Sequence, residues 1–550
     1  MEIQSKIRTI IEGALAKLDI DAGGVFLEHP NERDRGDYST NIAMILAKQE
    51  KKDPKTLAKK IIAEIDPDDD IEKIEIAGPG FINFFLSREF FANSLRVIQS
   101  EGAEWGKNST YKGKKIMVEY TDPNPFKVFH IGHLMSNTIG ESIARLIEFS
   151  GAEVKRANYQ GDVGPHVARA IWGLEHGKGS AKTPEGLGEA YAAGAKAYED
   201  HKEEIDGINR AIYGGADRAI NELYEKGRRT SLEHFEKIYQ KLGTRFDYSF
   251  FESGTWYEGE ELVRQNVPKV FTESDGAIIF EGEKFDKSLH TRVFITSEGI
   301  PTYEAKDLGL AYKKKEEYDF DLSITITASE QETYFAVMLK ALEQFDPDLA
   351  SKILHVSHGM MKLPGGKMSS RTGDVISAES LISEVEEKVL DIMKERDIED
   401  KEAVAVEIAI GALKYSILKQ DPGKDIIYDL ERSLSFEGDS GPYLQYARTR
   451  AGSVLEKAEG KGSTVPKKAS SLETFLYRFP EVVEKAQIEL KPHHVLVYLT
   501  ELAAEFNRFY ATEKIIGSEF EGHFLLLTKA FAITMENGLS LLGIRVPEKM

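Results

Sequence analysis

The chain has 550 residues, of which 41% are hydrophobic and 30% charged, with no cysteine and a formal charge of -21, so it is too long for one core and divides into roughly two to four domains. Lack of cysteine excludes disulfides and any Cys-ligated zinc, and the 13 histidines show no HExxH-like spacing, so a metal is expected only as Mg²⁺ arriving with a nucleotide. No run reaches the roughly eighteen apolar residues of a membrane span, and the acidic balance gives no general attraction to nucleic acid, so an RNA partner must be met by local basic patches.

The first predicted element, MEIQSKIRTIIEGALAKL, puts Ile3, Ile7, Ile10, Ile11, Leu15 and Leu18 on one helical face. It reads as a docked helix and not a signal peptide, and a cytoplasmic protein is expected. Residues 1–108 mix helices with short strands, KIEIAGPGFINFFL ending as a strand after a Gly-Pro-Gly turn. From about 112 to 375 strand-like and helix-like segments alternate, the pattern of a doubly wound parallel sheet. A polar, helix-rich stretch at about 172–270 is expected as an insertion between its two halves. Beyond about 376 the periodicity is helical to the end. Expected boundaries are therefore 1–108 (α+β), 109–375 (Rossmann-like, with the insertion) and 376–550 (helical bundle).

Within the second part, IMVEY (Ile116–Tyr120) has a buried-strand composition, and IGESIARLIEF (Ile139–Phe149) has helical periodicity. His130-Ile131-Gly132-His133 therefore falls at or just inside a helix N-terminus. Orphan amides and the helix dipole favour phosphate there, and Gly132 lacks the Cβ that would hold off an adenine ring. The imidazoles of His130 and His133 can donate to oxygens that gain charge when an α-phosphate is attacked. Taken alone, the pair also fits two ordinary helix-start histidines. Far downstream, GGKMSSRTGD sets Lys367, Met368, Ser369 and Ser370 behind Gly365 and Gly366, which leave the loop free to close over a triphosphate. The ordered pair of motifs points to activation of a carboxylate by ATP.

Over nearly its whole length the chain resembles class I aminoacyl-tRNA synthetases, and among them the arginyl-tRNA synthetase family. The likeness to the arginyl branch is carried by GDYSTNIAM, GPGFINFFL, EYTDPNPFKVFHIGH, ANYQGDVGPH, PTYEAKDLGLAY, GDSGPYLQYARTR and LLGIRVPEKM, in that order. It implies ATP-dependent ligation of L-arginine to tRNA(Arg) through an arginyl-adenylate, with AMP and pyrophosphate released, activation dependent on bound tRNA, and no editing. It also makes the N-terminal domain a binder of the tRNA elbow and the C-terminal bundle an anticodon-binding domain.

A guanidinium needs a carboxylate held in one orientation with a planar or hydroxyl partner. Tyr303 and Asp307 stand four apart on a predicted helix, hence on one face, and the resemblance assigns them to it. The resemblance also puts Glu119, Asn124, His130 and Gln331 on arginine. It places Phe81 and Asn83 at the tRNA elbow, an aromatic to stack and an amide to read a base edge. Tyr443, Tyr446 and Arg450 have helical spacing suited to splayed anticodon bases, with buried core tyrosines the alternative. Phe509, Tyr510 and Met550 are weaker candidates.

Three positions depart from the family pattern. The usual second lysine of KMSK is Ser370 here. The resemblance implies that a lysine three residues before the first histidine substitutes for it, and Lys127 stands there. The frequent GDWG is Gly161-Asp162-Val163-Gly164, and Glu330 replaces a more usual Asp. The expected partners are tRNA, arginine and ATP with Mg²⁺, with no membrane, no protein-bound zinc and a monomeric chain. The other readings are a non-catalytic scaffold, a class I synthetase for a different amino acid, and a small nucleotidylyltransferase. Intact His130, His133, Lys127, Lys367 and Asp307 argue against a scaffold, and a small nucleotidylyltransferase needs neither terminal domain.

Overall fold

The structure is a computed structural model and describes residues 3–21, 23–30, 32–215, 217–362, 377–458 and 464–550. It contains two compact units. One comprises Met1–Trp105, Arg450–Phe479 and Leu502–Thr534; the other comprises Gly106–Thr449, Pro480–Glu501 and Met535–Met550.

In the first unit, helix Ile3–Lys17 buries Ile3, Ile7, Ile11 and Leu15 at a four-residue spacing. They join the core of a three-stranded antiparallel sheet, in which strand Phe81–Leu86 lies between Tyr38–Thr40 and Ile71–Ala77. The Gly-Pro-Gly segment turns one strand of this sheet into the next. Among the described residues, no helix is long and apolar enough to cross a membrane.

The second unit is built on five parallel strands, in the spatial order Ile353–His358, Leu322–Ala328, Lys115–Glu119, Glu153–Gln160, Tyr248–Phe251. In chain order the sheet grows outward from Lys115–Glu119 on one side and then returns to its other side at Leu322–Ala328. Such a reversal opens a crevice at the C-terminal ends of the two central strands, where doubly wound folds bind ligands. Helix Ile131–Phe149 starts just beyond that end. It is buried on nearly every face, its polar Ser136, Asn137, Thr138, Glu141 and Ser142 included. Its outer turns are bonded to the chain's last segment, Ser142 Oγ donating to the Leu541 carbonyl at 2.9 Å and Arg145 Nη1 to that of Ser540 at 3.0 Å.

The stretch expected as an insertion at about 172–270 is organised differently. Helices Pro184–Ala197, Lys202–Gly214 and Arg218–Leu242 lie between the second and third strands of the sheet, inside its first half. Tyr248–Phe251, within the same stretch, is itself a sheet strand paired in parallel with Glu153–Gln160. Between the halves stands a small antiparallel sheet of Thr272–Ser274, Ala277–Glu281 and Thr291–Ile295. It shares one core with helix Tyr303–Glu317.

Candidate active site

The segment that joins strand Lys115–Glu119 to the central helix carries unusual backbone. Thr121, Asp122 and Phe126 have φ of 82°, 45° and 69°, a region that costs a non-glycine residue about 1–3 kcal/mol. Hydrogen bonds hold each in place. Thr121 N and Phe126 N donate to the hydroxyls of Ser136 and Ser231, each at 2.9 Å, and Asp122 Oδ1 accepts from Tyr159 N at 2.8 Å. Such over-determined strain is characteristic of a site that needs one geometry.

His130 is the N-cap of the central helix. Its Nδ1 accepts from Gly132 N at 3.1 Å, and its own N–H donates to His133 Nδ1 at 3.2 Å. The rings stack with centroids 3.6 Å apart. An Nδ1 that accepts forces the ring proton onto Nε2, so each histidine offers one Nε2–H donor. Burial, with Lys127 adding to it, lowers the His130 pKa to about 4. Burial likewise holds His133 well below the ordinary histidine value. Both rings are thus neutral donors at physiological pH. Gly132 also eases the fit of the His130 ring, because a Cβ there would fall 3.0 Å from its Cε1 and Nδ1.

Lys127 is half-buried, its Nζ 5.4 Å from the centroid of Tyr191. Burial and then Arg169 depress its pKa. Lys367, Met368, Ser369 and Ser370 lie outside the described residues. The flanks of that segment are anchored: Met361–Lys362 pairs in parallel with Ile426–Ile427, and beyond it Ala378 N donates to the Phe129 carbonyl at 2.8 Å beside a bridge between Ser377 and His130.

Tyr303 and Asp307 lie on helix Tyr303–Glu317, as their spacing predicts, Tyr303 exposed and Asp307 partly accessible. Asp307 accepts from the buried Tyr334 hydroxyl. Glu119 is buried and ion-paired with Lys314 at 2.6 Å, and the buried Glu252 is paired with Lys306 at 2.7 Å. Burial raises the Asp122 carboxyl well above the usual range, with Glu119 next. Burial likewise pushes Asp307 up to about 8 against the Tyr334 hydrogen bond, and Glu119 and Glu252 add to the rise. Glu119 and Glu252 are each held by a lysine, whereas among the described residues Asp122 and Asp307 form no ion pair, so two carboxylates are in surplus. Asn124 Oδ1 and Glu252 Oε1 both face the Cα of Gly161. Gln331 is exposed at the start of helix Glu332–Glu343, beyond strand Leu322–Ala328.

Sequence reasoning missed Asp122, Glu252, Lys306, Lys314 and Tyr334. Lys313–Lys315 had the look of a solvated basic cluster, yet Lys314 is 3% exposed and donates inward to the Ser323 and Thr325 hydroxyls as well. The available signal was that lysines interrupt Ala305, Leu308 and Ala311 at the period of a buried face. Asp162 is fully buried and accepts from Arg228 Nε at 2.8 Å, the Tyr224 hydroxyl at 3.1 Å and Ser253 N at 2.9 Å. It thereby ties helix Arg218–Leu242 to the floor of the site.

The expected RNA contacts are placed unevenly. Phe81 is half-buried at the start of its strand. Asn83, expected to read a base edge, is 4% exposed with its Oδ1 accepting from Ser39 at 2.7 Å, so its amide serves the strand pair and presents no edge to solvent. Tyr443, Tyr446 and Arg450 lie on helix Gly441–Glu456, all half-buried. Arg450 donates to Asn507 Oδ1 at 2.6 Å and lies over the Tyr510 ring. Phe509 is a core residue. Alanine at Tyr443 or Tyr446 is expected to raise the tRNA requirement of aminoacylation by about 1–3 kcal/mol while shifting the melting midpoint little. A large drop in midpoint at both would make them core residues instead.

Residues 95–430 match the family described as "tRNA synthetases class I (R), catalytic domain", 5–86 match "Arginyl tRNA synthetase N terminal domain", and 444–550 match "DALR anticodon binding domain". The chain is 32% identical to the arginine–tRNA ligase of Clostridium botulinum over 571 residues, covering 100% of both, and 30% identical to that of Treponema denticola, covering 95% of this chain and 94% of the other. Its fold superposes on the Thermus thermophilus arginyl-tRNA synthetase with a TM-score of 0.83 at 26% identity, over 99% of this chain and 100% of that one.

Proposed function

The chain belongs to the arginyl-tRNA synthetases of class I and ligates arginine to tRNA with ATP through an adenylate, and from that premise we propose that its site works by positioning and charge alone. The carboxylate of arginine attacks the α-phosphorus of ATP. An O–P bond forms as the bond to the bridging α,β oxygen breaks, and pyrophosphate leaves with the electron pair. The 3′-terminal hydroxyl of tRNA then attacks the carbonyl of the mixed anhydride, loses its proton, and AMP departs. No protein nucleophile is needed. The Nε2–H groups of His130 and His133 stabilise the phosphoryl oxygens. Lys127 and the Lys367–Ser370 segment hold the phosphates, and Mg²⁺ arrives with ATP. Asp307 and Tyr303 take the guanidinium; Glu119, Asn124 and Gln331 complete the arginine pocket. Phe81 meets the tRNA elbow, and Tyr443, Tyr446 and Arg450 the anticodon. Domains 1–108, 109–375 and 376–550, a monomeric state and a cytoplasmic location complete the reading.

The observation that carries the assignment of the pocket is its surplus of two carboxylates. Arginine brings two cationic groups, guanidinium and α-ammonium, and its own carboxylate is directed at ATP. Pyrophosphate exchange tests this: it should proceed with arginine and tRNA together and fall sharply when either is omitted or lysine replaces arginine. Exchange supported better by another amino acid would overturn the pocket assignment.

A pH dependence follows. Without substrate Asp307 holds its proton up to about pH 8, whereas a bound cation favours the carboxylate, so binding releases a proton below that pH. Arginine affinity should rise toward tenfold per pH unit as pH increases to about 8 and then level off. Because Asp122 and Asp307 face the same charges they titrate together, and the midpoint belongs to the pair. Calorimetric titration in two buffers of unlike ionisation enthalpy reads the proton directly. Proton uptake, or none at pH 7, counts against the assignment.

A further inference from the structure

Helix Pro165–Glu175 follows the Gly161–Gly164 turn and carries Arg169, a residue with no role in the reading above. Helix Pro184–Ala197, with its cap Tyr198, packs against it so closely that a Cβ on Gly194 would fall 1.9 Å from the Arg169 carbonyl oxygen. Tyr191 and Tyr198, seven residues apart, share one helix face. Each carries a cation: Lys127 Nζ is 5.4 Å from the Tyr191 centroid, and the Arg169 guanidinium is 4.4 Å from that of Tyr198.

Among the described residues these two cations lack anionic partners: neither forms an ion pair with a carboxylate, and the carboxylate that acts on Lys127 through space, Glu252, is already held by Lys306. Arg169 Nε is buried without a hydrogen-bond partner. Arg169 lies near enough to Lys127 to push its ammonium pKa down, and both act in the same sense on the buried His166. Two half-buried like charges that act on each other, with a buried guanidinium donor unused, are unfavourable until an anion joins them. Their fixation against a tight helix pair, with Lys127 three residues before His130 and acting on both histidines, suits a small, highly charged anion better than an RNA backbone, which solvent-exposed side chains reach more readily.

We infer that Arg169 is the second cation of the phosphate site, gripping the pyrophosphate end of ATP together with Lys127. The inference rests on the reading of Lys127 as a phosphate ligand. Arg169 would hold the β- and γ-phosphates through its fork of donors and follow them as they become the leaving group.

The test is Arg169→Met, Arg169→Gln and Arg169→Lys in the full chain, with inorganic pyrophosphate as inhibitor of aminoacylation. Loss of the charge should weaken pyrophosphate inhibition and ATP use by about 10-fold to 100-fold. The KM values for arginine and tRNA should stay within about twofold, and Arg169→Lys should recover most of the loss. A purely structural role would lower the melting midpoint, leave the pyrophosphate constant in place and not be rescued by lysine. Combining Arg169→Met with Lys127→Met should cost less than the product of the single effects, because both act on one anion. An unchanged pyrophosphate constant in Arg169→Met and Arg169→Gln overturns the inference, as does a raised tRNA KM with ATP unaffected, which would assign Arg169 to RNA. A harmless Lys127→Met beside a damaging Arg169→Met would instead remove the reading of Lys127, and failure of the wild type to charge arginine would remove the pocket reading.

Discussion

Asp307→Asn is expected to lower kcat/KM for arginine by about 30-fold to about 5,000-fold while leaving the fold intact. The range follows from the roughly 2–5 kcal/mol lost when one partner of an enclosed charge pair is removed and the other remains. Stability should not suffer, for a reason specific to this site. Burial and the neighbouring Glu119 and Glu252 already push the Asp307 carboxyl up to about 8, so without substrate near neutral pH it is mostly protonated. A folded pKa raised above the unfolded value means that Asp307 costs the fold increasing free energy as pH rises from about 4 to about 8. Asparagine has the same shape, still accepts from the Tyr334 hydroxyl, and carries no such penalty. The melting midpoint at pH 8 should therefore hold or rise as arginine use collapses, and ATP binding should persist. Arginine activation within threefold of wild type would remove Asp307 from the guanidinium.

The contrast between a stable fold and a lost substrate also marks which parts of the site were legible in the sequence. Features set by local chemistry were readable. His130 caps the central helix where the strand-like IMVEY gives way to helical periodicity, and Tyr303 and Asp307 share a helix because they are four apart. The amphipathic isoleucines of the first helix are buried as their spacing implies. Features set by distant segments were not. The buried period of Ala305, Leu308 and Ala311 reaches Lys314 but does not name its partner, while Lys313 and Lys315 pair with the surface carboxylates of Glu316 and Asp319. Only the sheet strand that carries Glu119 makes its ammonium a buried partner. The family resemblance placed Asn83 at a base edge, but its amide oxygen is taken by Ser39, from a strand some forty residues earlier that the local sequence does not announce. Strand Tyr248–Phe251 is too short to announce itself within a polar stretch, and its pairing with Glu153–Gln160 spans the intervening helices. The desolvation cost of the surplus carboxylates is likewise a property of the assembled pocket, and it makes the site incomplete until a cation enters.

Lys127→Ala is expected to reduce the rate of tRNA-dependent activation by about 100-fold or more, as severely as Lys367→Ala, because each cation is assigned to charge that develops on the phosphates in the transition state. Lys367 and Ser370 lie outside the described residues, so the comparison must be made by chemistry. Lys127 itself is well placed for the task. It sits three residues before His130, its Nζ rests against Tyr191, and burial together with Arg169 depresses its pKa. A partly desolvated ammonium has lost hydration that a phosphate would otherwise need to displace, so its interaction with developing charge is stronger than that of a surface lysine. The decisive arm is Ser370→Lys, which restores the common pattern of the family. If the two positions serve one role, Ser370→Lys should recover part of the activity lost in Lys127→Ala and add little to the wild type, where the charge is already supplied. No loss in Lys127→Ala sinks the assignment. A full loss that Ser370→Lys cannot relieve would keep Lys127 in the site but separate it from the missing lysine, and Arg169, held on the same pair of tyrosine shelves, would then be the remaining cation able to compensate.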